Sequence, residues 1–319
     1  MHAYLEFERP IADLEGKIVE LRKLAEADPT MDIEDDVGRL QSKAKQLIHD
    51  TYAKLTPWQK ALVARHPARP HCLDYVSSLI DDFTSLAGDR LFGEDRAVVT
   101  GLGRFRGRAV AIVGQEKGND TKSRLHHNFG MAMPEGYRKT QRLFAMANRF
   151  QLPVISLADT PGAYPGVAAE ERGQAEAIAR ATQACLNLEV PFVSVIIGEG
   201  MSGGALGIAV ANRVYMLEHS IYAVISPEGC ASILWRSAEK TQEAAAAMKI
   251  TAQDLLELKV IDGIVPEPVG GAHRAPEATI QAVGDVIARA LDEMNGLSPQ
   301  QIRLQRREKY LAMGRSLGG

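Results

Sequence analysis

The sequence predicts an α/β protein in which a helical N-terminal extension precedes parallel strands joined by helices. Three observations carry that prediction. Before residue 66, apolar residues recur at alternating spacings of three and four, the period of packed helices. After residue 70, short β-rich runs alternate with helical stretches. Twice, an apolar strand ends in a glycine-rich loop that opens a helix, the connection that parallel strands require.

The elements follow in order. Ile11, Leu14, Ile18, Leu21 and Ala25 trace the narrow stripe of a helix packed on another helix, over Ile11 to Ala27, with Asp28-Pro29 expected to end it. Val37, Leu40, Ala44 and Leu47 give a second stripe, and a third helix is expected to start with Thr56 as N-cap and Pro57 at its first position. His66-Pro67-Ala68-Arg69-Pro70 excludes a continuous helix, so residues 1–70 are read as a helical hairpin and extension. Ala97 to Thr100 and Arg108 to Gly114, around Arg106-Gly107-Arg108, are read as a β-hairpin. Pro134 opens a helix to Phe150, Pro153 to Ala158 is a buried strand, Glu170 to Leu188 a helix, and Pro191 to Ile197 a second buried strand. A shorter helix, Gly203 to Ala211, leads to strands at Tyr215 to Leu217 and Ile221 to Ile225. The C-terminal third is read as helical, Ala244 to Ala247 being strong helix formers. Residues 71–296 are taken as one main domain and 297–319 as a helical tail, whose Arg303, Arg306, Arg307, Lys309 and Arg315 are read as a solvated basic face.

At 319 residues the chain can bury a sizeable core without a disulfide or a structural metal, taking about 150 residues per domain as a prior. Its net charge of -3 offers no global basic field for nucleic acid or anionic lipid. The longest apolar stretches, such as Pro191 to Ile197, fall far short of the roughly 20 residues of a membrane helix. Met1 to Pro10 carries Glu6 and Glu8 and no apolar signal core, so a cytoplasmic location is expected. Cys72, Cys185 and Cys230 include no CxxC pair, which argues against a disulfide framework and a zinc ribbon. Each is expected to be a small buried hydrophobe, with Cys230 the best candidate should any thiol act as a nucleophile.

The segment Gly198-Glu199-Gly200-Met201-Ser202-Gly203-Gly204 admits three functional readings. Gly198-x-Gly200-x-x-Gly203 matches the dinucleotide fingerprint, with Glu218 about twenty residues on, where a ribose-binding acid would sit. It lies in mid-chain, however, and its helix is short. Gly200-x-Ser202-x-Gly204 matches the nucleophile elbow of hydrolases, with His219 or His273 downstream. Because Glu218 and His219 are adjacent, a strand would point them to opposite faces, which leaves that reading to His273 or a partner elsewhere. The third reading needs no side chain. Glycines at a helix N-terminus present unpaired backbone N–H groups and the positive end of the dipole, and the missing Cβ lets a substrate oxygen approach. Such an oxyanion hole lowers a barrier by ~3–4 kcal/mol per donor. The competing explanation is structural: glycine here permits tight packing of helix on sheet.

Four segments, taken together, resemble a known family. They are Asp159-Thr160-Pro161-Gly162-Ala163-Tyr164-Pro165-Gly166, Ala169-Glu170-Glu171-Arg172-Gly173-Gln174, the Gly198 to Leu206 loop, and Ile225-Ser226-Pro227-Glu228-Gly229-Cys230-Ala231-Ser232-Ile233-Leu234-Trp235. In order and spacing they are similar to the alpha-subunit family of bacterial acetyl-coenzyme A carboxylase carboxyltransferases, from Leu5-Glu6-Phe7-Glu8 to His273-Arg274. The resemblance implies a crotonase-like fold, in which ββα turns spiral and glycine loops form oxyanion holes. It implies transfer of the carboxyl group of carboxybiotin, carried on a separate biotin carboxyl carrier protein, to acetyl-CoA, giving malonyl-CoA at the first committed step of fatty-acid synthesis. It further implies a beta subunit that shares the active site in an alpha2beta2 heterotetramer, grips coenzyme A and carries the zinc, with no metal on this chain. A partner biotin carboxylase would use the ATP; no GxxxxGK[ST] loop occurs here.

Carried over residue by residue, the resemblance assigns Gly203 and Gly204 as backbone donors to the biotin ureido oxygen. Gly162, Ala163 and Tyr164, with Gly200 and Ser202, are expected to line the carboxybiotin side. The released biotin nitrogen would take the acetyl α-proton, which suits a site with no evident His–carboxylate pair. The chain departs from the family pattern at Met201, where glycine is often found, and around Asn119 and at His126 and His127, where arginines are usual. The adjacent histidines are expected to point apart and to form a pH-dependent surface, not a metal site. Ala247-Met248-Lys249-Ile250 looks like the biotinylation segment of a carrier, but its surroundings signal helix, so it is read as a decoy.

Overall fold

The computed structural model describes residues 3–27 and 33–315. The expected helix stop at Asp28-Pro29 lies outside the described residues. Helices α1 (Arg9–Ala27) and α2 (Glu34–Tyr52) form the hairpin, with Ile18, Val37 and Ala44 buried along their seam. Helix α3 (Pro57–Ala64) starts as its sequence requires. Thr56 Oγ1 accepts from the Gln59 amide while the Gln59 side chain accepts from the Thr56 amide, a capping box with Pro57 at the first position. The prolines at 67 and 70 turn the chain into α4 (Cys72–Leu79), which leads directly into β1 (Ile80–Ser85).

β1, β2 (Val98–Phe105) and β3 (Arg108–Gln115) are antiparallel, and the β2–β3 hairpin turns at Arg106-Gly107 as expected. Helices α5 (Thr121–His126) and α6 (Pro134–Phe150) then cross to β4 (Val154–Thr160). After α7 (Val167–Glu171) and α8 (Gln174–Asn187) the chain enters β5 (Phe192–Met201), α9 (Ser202–Ala209), β6 (Arg213–Leu217) and β7 (Ile221–Ala223). Helices α10 (Pro227–Trp235), α11 (Thr241–Ala247) and α12 (Ala252–Glu257) precede β8 (Gly263–Val265), and α13 (Pro276–Glu293) and α14 (Pro299–Ala312) close the fold. From β3 onward the sheet neighbours β4, β5, β6 and β8 are parallel. One face packs residues of α6, α8 and α9, including Tyr137, Phe144 and Cys185, and the other packs residues of α4 and α13, including Tyr75 and Ile287. β4 and β5 are buried along their whole length, which is why both read as continuous apolar runs.

β5 does two jobs. Its first half pairs with β4 and β6, while Glu199–Met201 pair with β7 and Gly200 lies opposite Thr160, after an irregularity in the β4 register. Within the one sheet, β5 thereby passes from β6 to β7 as its partner along its length.

Several expectations are corrected. The helix expected over Glu170 to Leu188 breaks at Gly173, whose φ of 80° is left-handed and open to glycine. β4 and β5 run on to Thr160 and Met201, past the expected ends, and β7 stops at Ala223. A strand, β8, lies in the C-terminal third. The tail's basic face is not solvated throughout. Arg306 is fully buried and donates to the carbonyls of Cys185, Leu188 and Val190 at 2.9, 2.6 and 3.1 Å, at and just beyond the end of α8. Lys309 pairs with Asp262. Cys72 and Cys185 are buried, but Cys230 is only half-buried on α10.

Candidate active site

The two glycine loops leave adjacent parallel strands side by side. Register pairs Ala158 with Ile196 and Thr160 with Gly200, so each loop starts at the same edge of the sheet. In the first loop Gly162 has φ 133°, a backbone conformation that a side chain would strain. In the second, Gly204 sits on the first loop: a Cβ there would lie 2.7 Å from the Ala163 nitrogen and 2.8 Å from the Gly162 carbonyl carbon. A Cβ at Gly203 would meet only the Ile178 side chain, at 3.1 Å, and one at Gly200 would meet the Tyr222 ring at 2.9 Å. The structure thus brings Gly162, Ala163, Gly203 and Gly204 together, with the backbone amides of Gly203 and Gly204 in the first turn of α9, where no intrahelical acceptor exists. Tyr164 is half-buried, its ring folded against Gly166, and its amide donates to the Ala132 carbonyl at 3.0 Å.

Met201 causes no difficulty where glycine is often found. It is the last residue of β5, extended and buried, and the left-handed backbone falls instead on Ser202, at φ 55°. Ser202 is exposed and lines an apolar cavity of about 400 Å³ with Leu206, Tyr222, Val224, Met248 and Tyr310. No histidine lines that cavity among the described residues. His219 packs edge-on against Tyr52, with centroids 5.6 Å apart, and His273 stacks on His66 at 3.9 Å. Both histidines belong to the seam with the N-terminal helices, so the nucleophile-elbow reading finds no histidine base among the described residues.

The residues that root the two loops escaped the sequence reading. Asp159 is the penultimate residue of β4, and Glu199 lies two residues before the end of β5. Lys117, which follows β3, places its Nζ 2.7 Å from Asp159 Oδ1 and 2.7 Å from Glu199 Oε2. Asp159 Oδ1 also accepts from the Glu199 amide at 2.9 Å. Arg65, at the end of α3, donates to Glu199 Oε1 at 2.6 Å and bridges to Glu228 of α10. Gln115 is fully buried: it donates to the Gly204 carbonyl at 2.7 Å and accepts from the Asp159 amide at 3.1 Å. The one available signal was positional, an acid in each strand just before its glycine loop.

Burial alone would raise the Asp159 pKa, but Lys117 and His71 outweigh it and hold the carboxyl well below its usual range. Burial likewise works against the Lys117 ammonium, and Asp159 and Glu199 more than compensate, so its pKa is raised. His71 Nδ1 lies 3.6 Å from Asp159 Oδ2, a buried His–carboxylate pair where none was expected. His71, Arg65, Lys117, Arg124, Asp159 and Glu199 line a second cavity of about 210 Å³.

The remaining candidates resolve plainly. His126 and His127 do not point apart. Their rings meet edge-on at 4.9 Å, His126 takes a hydrogen bond from Arg96, and His127 Nδ1 donates to the Arg96 carbonyl at 2.6 Å. No group of three potential metal ligands occurs among the described residues. Lys249 is exposed and left-handed in the turn between α11 and α12, neither within a helix nor on a hairpin.

Residues 4–314 match the family model described as acetyl co-enzyme A carboxylase carboxyltransferase-like. The chain is 63% identical over 317 residues to the acetyl-coenzyme A carboxylase carboxyl transferase subunit alpha of Agrobacterium fabrum, covering 99% of this chain and 100% of that one. It is 64% identical over 315 residues to the protein of the same name from Parvibaculum lavamentivorans, covering 99% of each. Among solved structures it is similar to transcarboxylase 12S, with a TM-score of 0.57 and 21% identity, over 69% of this chain and 40% of that one, so it spans less than half the transcarboxylase's length. It is also similar to a chain of a Pseudomonas malonate decarboxylase hetero-tetramer, with a TM-score of 0.55 and 17% identity, over 66% of this chain and 84% of that one. At these identities the structural likeness bears on the fold alone, which is crotonase-like.

Proposed function

The chain belongs to the acetyl co-enzyme A carboxylase carboxyltransferase-like family, and from that premise we propose that its Gly203 and Gly204 amides form the oxyanion hole for the carboxyl donor. The chain is a carboxyltransferase subunit, serving transfer of a carboxyl group from biotin carried by a partner to acetyl-CoA, which forms malonyl-CoA for fatty-acid synthesis. The observation that carries the site assignment is the seat of Gly204 on the Gly162–Ala163 peptide. Glycine lets α9 seat directly on that peptide, so the two loops together fix the direction of the first-turn amides.

The residues present fit a carried biotin. Bound there, biotin supplies an activated carboxyl group, and its ureido oxygen would be held by Gly203 and Gly204. Both amides sit at the positive end of α9, so negative charge gathering on that oxygen is stabilised by fixed dipoles that need no reorganisation. Each such donor is worth ~3–4 kcal/mol of barrier. Gly162 and Ala163 hold the donors from beneath, Gly200 keeps the turn close to Tyr222, and Tyr164 shapes the rim. The apolar cavity beside Ser202 and Leu206 gives an aliphatic tail a dry wall. Ser202 serves by its backbone, since no histidine among the described residues lines its cavity. This chain's contribution is therefore electrostatic and positional.

The complementary parts belong to other chains in this reading. A beta subunit, in an alpha2beta2 assembly, would grip coenzyme A, hold the zinc and complete the hole for the thioester oxygen. The biotin carboxyl carrier protein would deliver the carboxyl group, and biotin carboxylase would use the ATP. Residues 1–70 would act as an extension, 71–296 as the transferase body, and 297–319 as a tail docked through Arg306. We place the protein in the cytoplasm; no helix among the described residues is long and apolar enough to cross a membrane. The test is malonyl-CoA-dependent carboxylation of biocytin by the purified chain with and without its beta partner. Activity only in the mixture supports a shared site, and full activity from this chain alone overturns it.

A further inference from the structure

We propose that Lys117 is a positioning residue for the transfer reaction. Acting through Asp159 and Glu199, it sets the spacing of the two glycine loops and hence the aim of the Gly203 and Gly204 amides. This rests on the oxyanion reading above and goes beyond it.

The geometry is specific. One ammonium lies 2.7 Å from a carboxylate at the root of each loop, and neither carboxylate has another lysine partner among the described residues. Asp159 is three residues from Gly162, and Glu199 is four residues from Gly203. Any change in the Asp159–Glu199 separation is therefore passed on within one turn of chain to the Gly162–Ala163 peptide and to the α9 amides seated on it. Asp159 is further tied to the Glu199 amide, and through its own amide to Gln115, which holds the Gly204 carbonyl. Glycine at 198 makes room for this contact, since a Cβ there would collide with the Asp159 carboxylate. The remaining Glu199 oxygen is held by Arg65, and His71 faces the remaining Asp159 oxygen. All three charged groups are largely shielded, with side-chain exposures of 15% for Lys117, 5% for Asp159 and 6% for Glu199. Screening by solvent is weak there, and the pairing energy is available to fix geometry.

Removing the ammonium leaves two buried carboxylates facing one another. Like charges at that range raise the pKa of one of them; Glu199 keeps Arg65, itself shared with Glu228, whereas Asp159 keeps only His71, itself near Glu116, so a proton taken up by Asp159 on falling pH removes the repulsion and restores a bridging hydrogen bond. The test uses the chain assembled with its beta partner and follows carboxyl transfer from malonyl-CoA to biocytin across pH. Lys117→Met is expected to lower kcat about 10²-fold near neutral pH, with KM for malonyl-CoA within roughly threefold of wild type. Its kcat should then climb about tenfold toward mildly acid pH relative to wild type. Lys117→Met/Asp159→Asn, which removes one charge of each sign, should recover much of the loss without the acid limb. A Lys117→Met enzyme within roughly threefold of wild type, or one whose pH profile runs parallel to wild type, overturns the proposal. If the single variant fails to assemble, the double variant decides. Assembled and active, it supports the proposal; assembled but inactive, or unassembled, it overturns it. Gly204→Val separates the two levels. Retained transfer in that variant refutes the oxyanion reading itself, whereas its loss beside an unaffected Lys117→Met refutes the positioning role alone.

Discussion

Substituting alanine at Gly204 tests the site at the level of a single carbon atom. Gly204 has no left-handed backbone conformation to lose, so any effect arises from the added Cβ. That Cβ would stand 2.7 Å from the Ala163 nitrogen, 2.8 Å from the Gly162 carbonyl carbon and 3.0 Å from the Gly162 Cα. All three are backbone atoms and cannot swing aside. Ordinary contact begins at 3.4 Å, so the first turn of α9 and the Gly162–Ala163 peptide must separate by at least about 0.7 Å. A misplacement near 1 Å costs on the order of 10²-fold in rate, or about 2.7 kcal/mol, close to the loss of one oxyanion donor. Gly203→Ala is the internal control. Its Cβ would meet only the flexible Ile178 side chain at 3.1 Å, and a loss below roughly fivefold is expected. The assay is kcat for malonyl-CoA-dependent carboxylation of biocytin by the assembled subunits, with size-exclusion chromatography to confirm assembly. An assembled Gly204→Ala enzyme within roughly threefold of wild type, or one less impaired than Gly203→Ala, would refute the reasoning.

The other predictions test neighbouring claims. Ser202→Ala should leave kcat within roughly threefold of wild type, and Ser202 should resist labelling by a fluorophosphonate, because no histidine among the described residues shares its cavity; stoichiometric labelling would revive the hydrolase reading. Arg306→Met strips three carbonyls of a buried donor and should lower urea-unfolding stability by at least about 3 kcal/mol, while the kcat of the folded fraction holds. The stacked His66–His273 pair makes an acid limb. Burial first, then His66, Arg69 and Arg274, push the His273 pKa down to about 3 from an ordinary 6.5. The unfolded chain then binds a proton that the fold refuses, so stability is full above about pH 6.5 and falls as pH drops toward 3. A urea midpoint that stays level from about pH 6.5 to 4.5 would contradict this, and His273→Phe should flatten the limb.

Much of the fold was legible because the residues that define it are local. Thr56-Pro57 with Gln59 announces a helix start within four residues, and Pro134 does the same for α6. The apolar runs of β4 and β5 could be read directly because both faces of these strands are covered. β1 was not legible. Ile80-Asp81-Asp82-Phe83-Thr84-Ser85 breaks its alternation where Asp82 turns left-handed and the register slips, so neither period appears in the sequence. The split between α7 and α8 was hidden for a related reason. One glycine inside a helical pattern costs little enough to be tolerated, and only its φ reveals that it stops the helix. The solvated tail failed because the burial of Arg306 is decided by the end of α8, more than a hundred residues earlier.

The site divides along the same line. Glycines are visible in a sequence because their function is the absence of a side chain, and Gly162, Gly203 and Gly204 could be singled out before any distance was known. What holds them could not. Lys117 reaches Glu199 across 82 positions, Gln115 reaches Gly204 across 89, and Arg65 reaches Glu199 across 134. Each is an ordinary polar residue until the sheet places β3, β4 and β5 side by side. A backbone oxyanion hole is demanding in this respect: its donors carry no side chain by which neighbours could grip them, so their aim depends on charged and amide groups anchored elsewhere. On the proposed reading, the chemistry of this chain is written locally, in glycine, and its precision at long range, in the contacts that the fold closes.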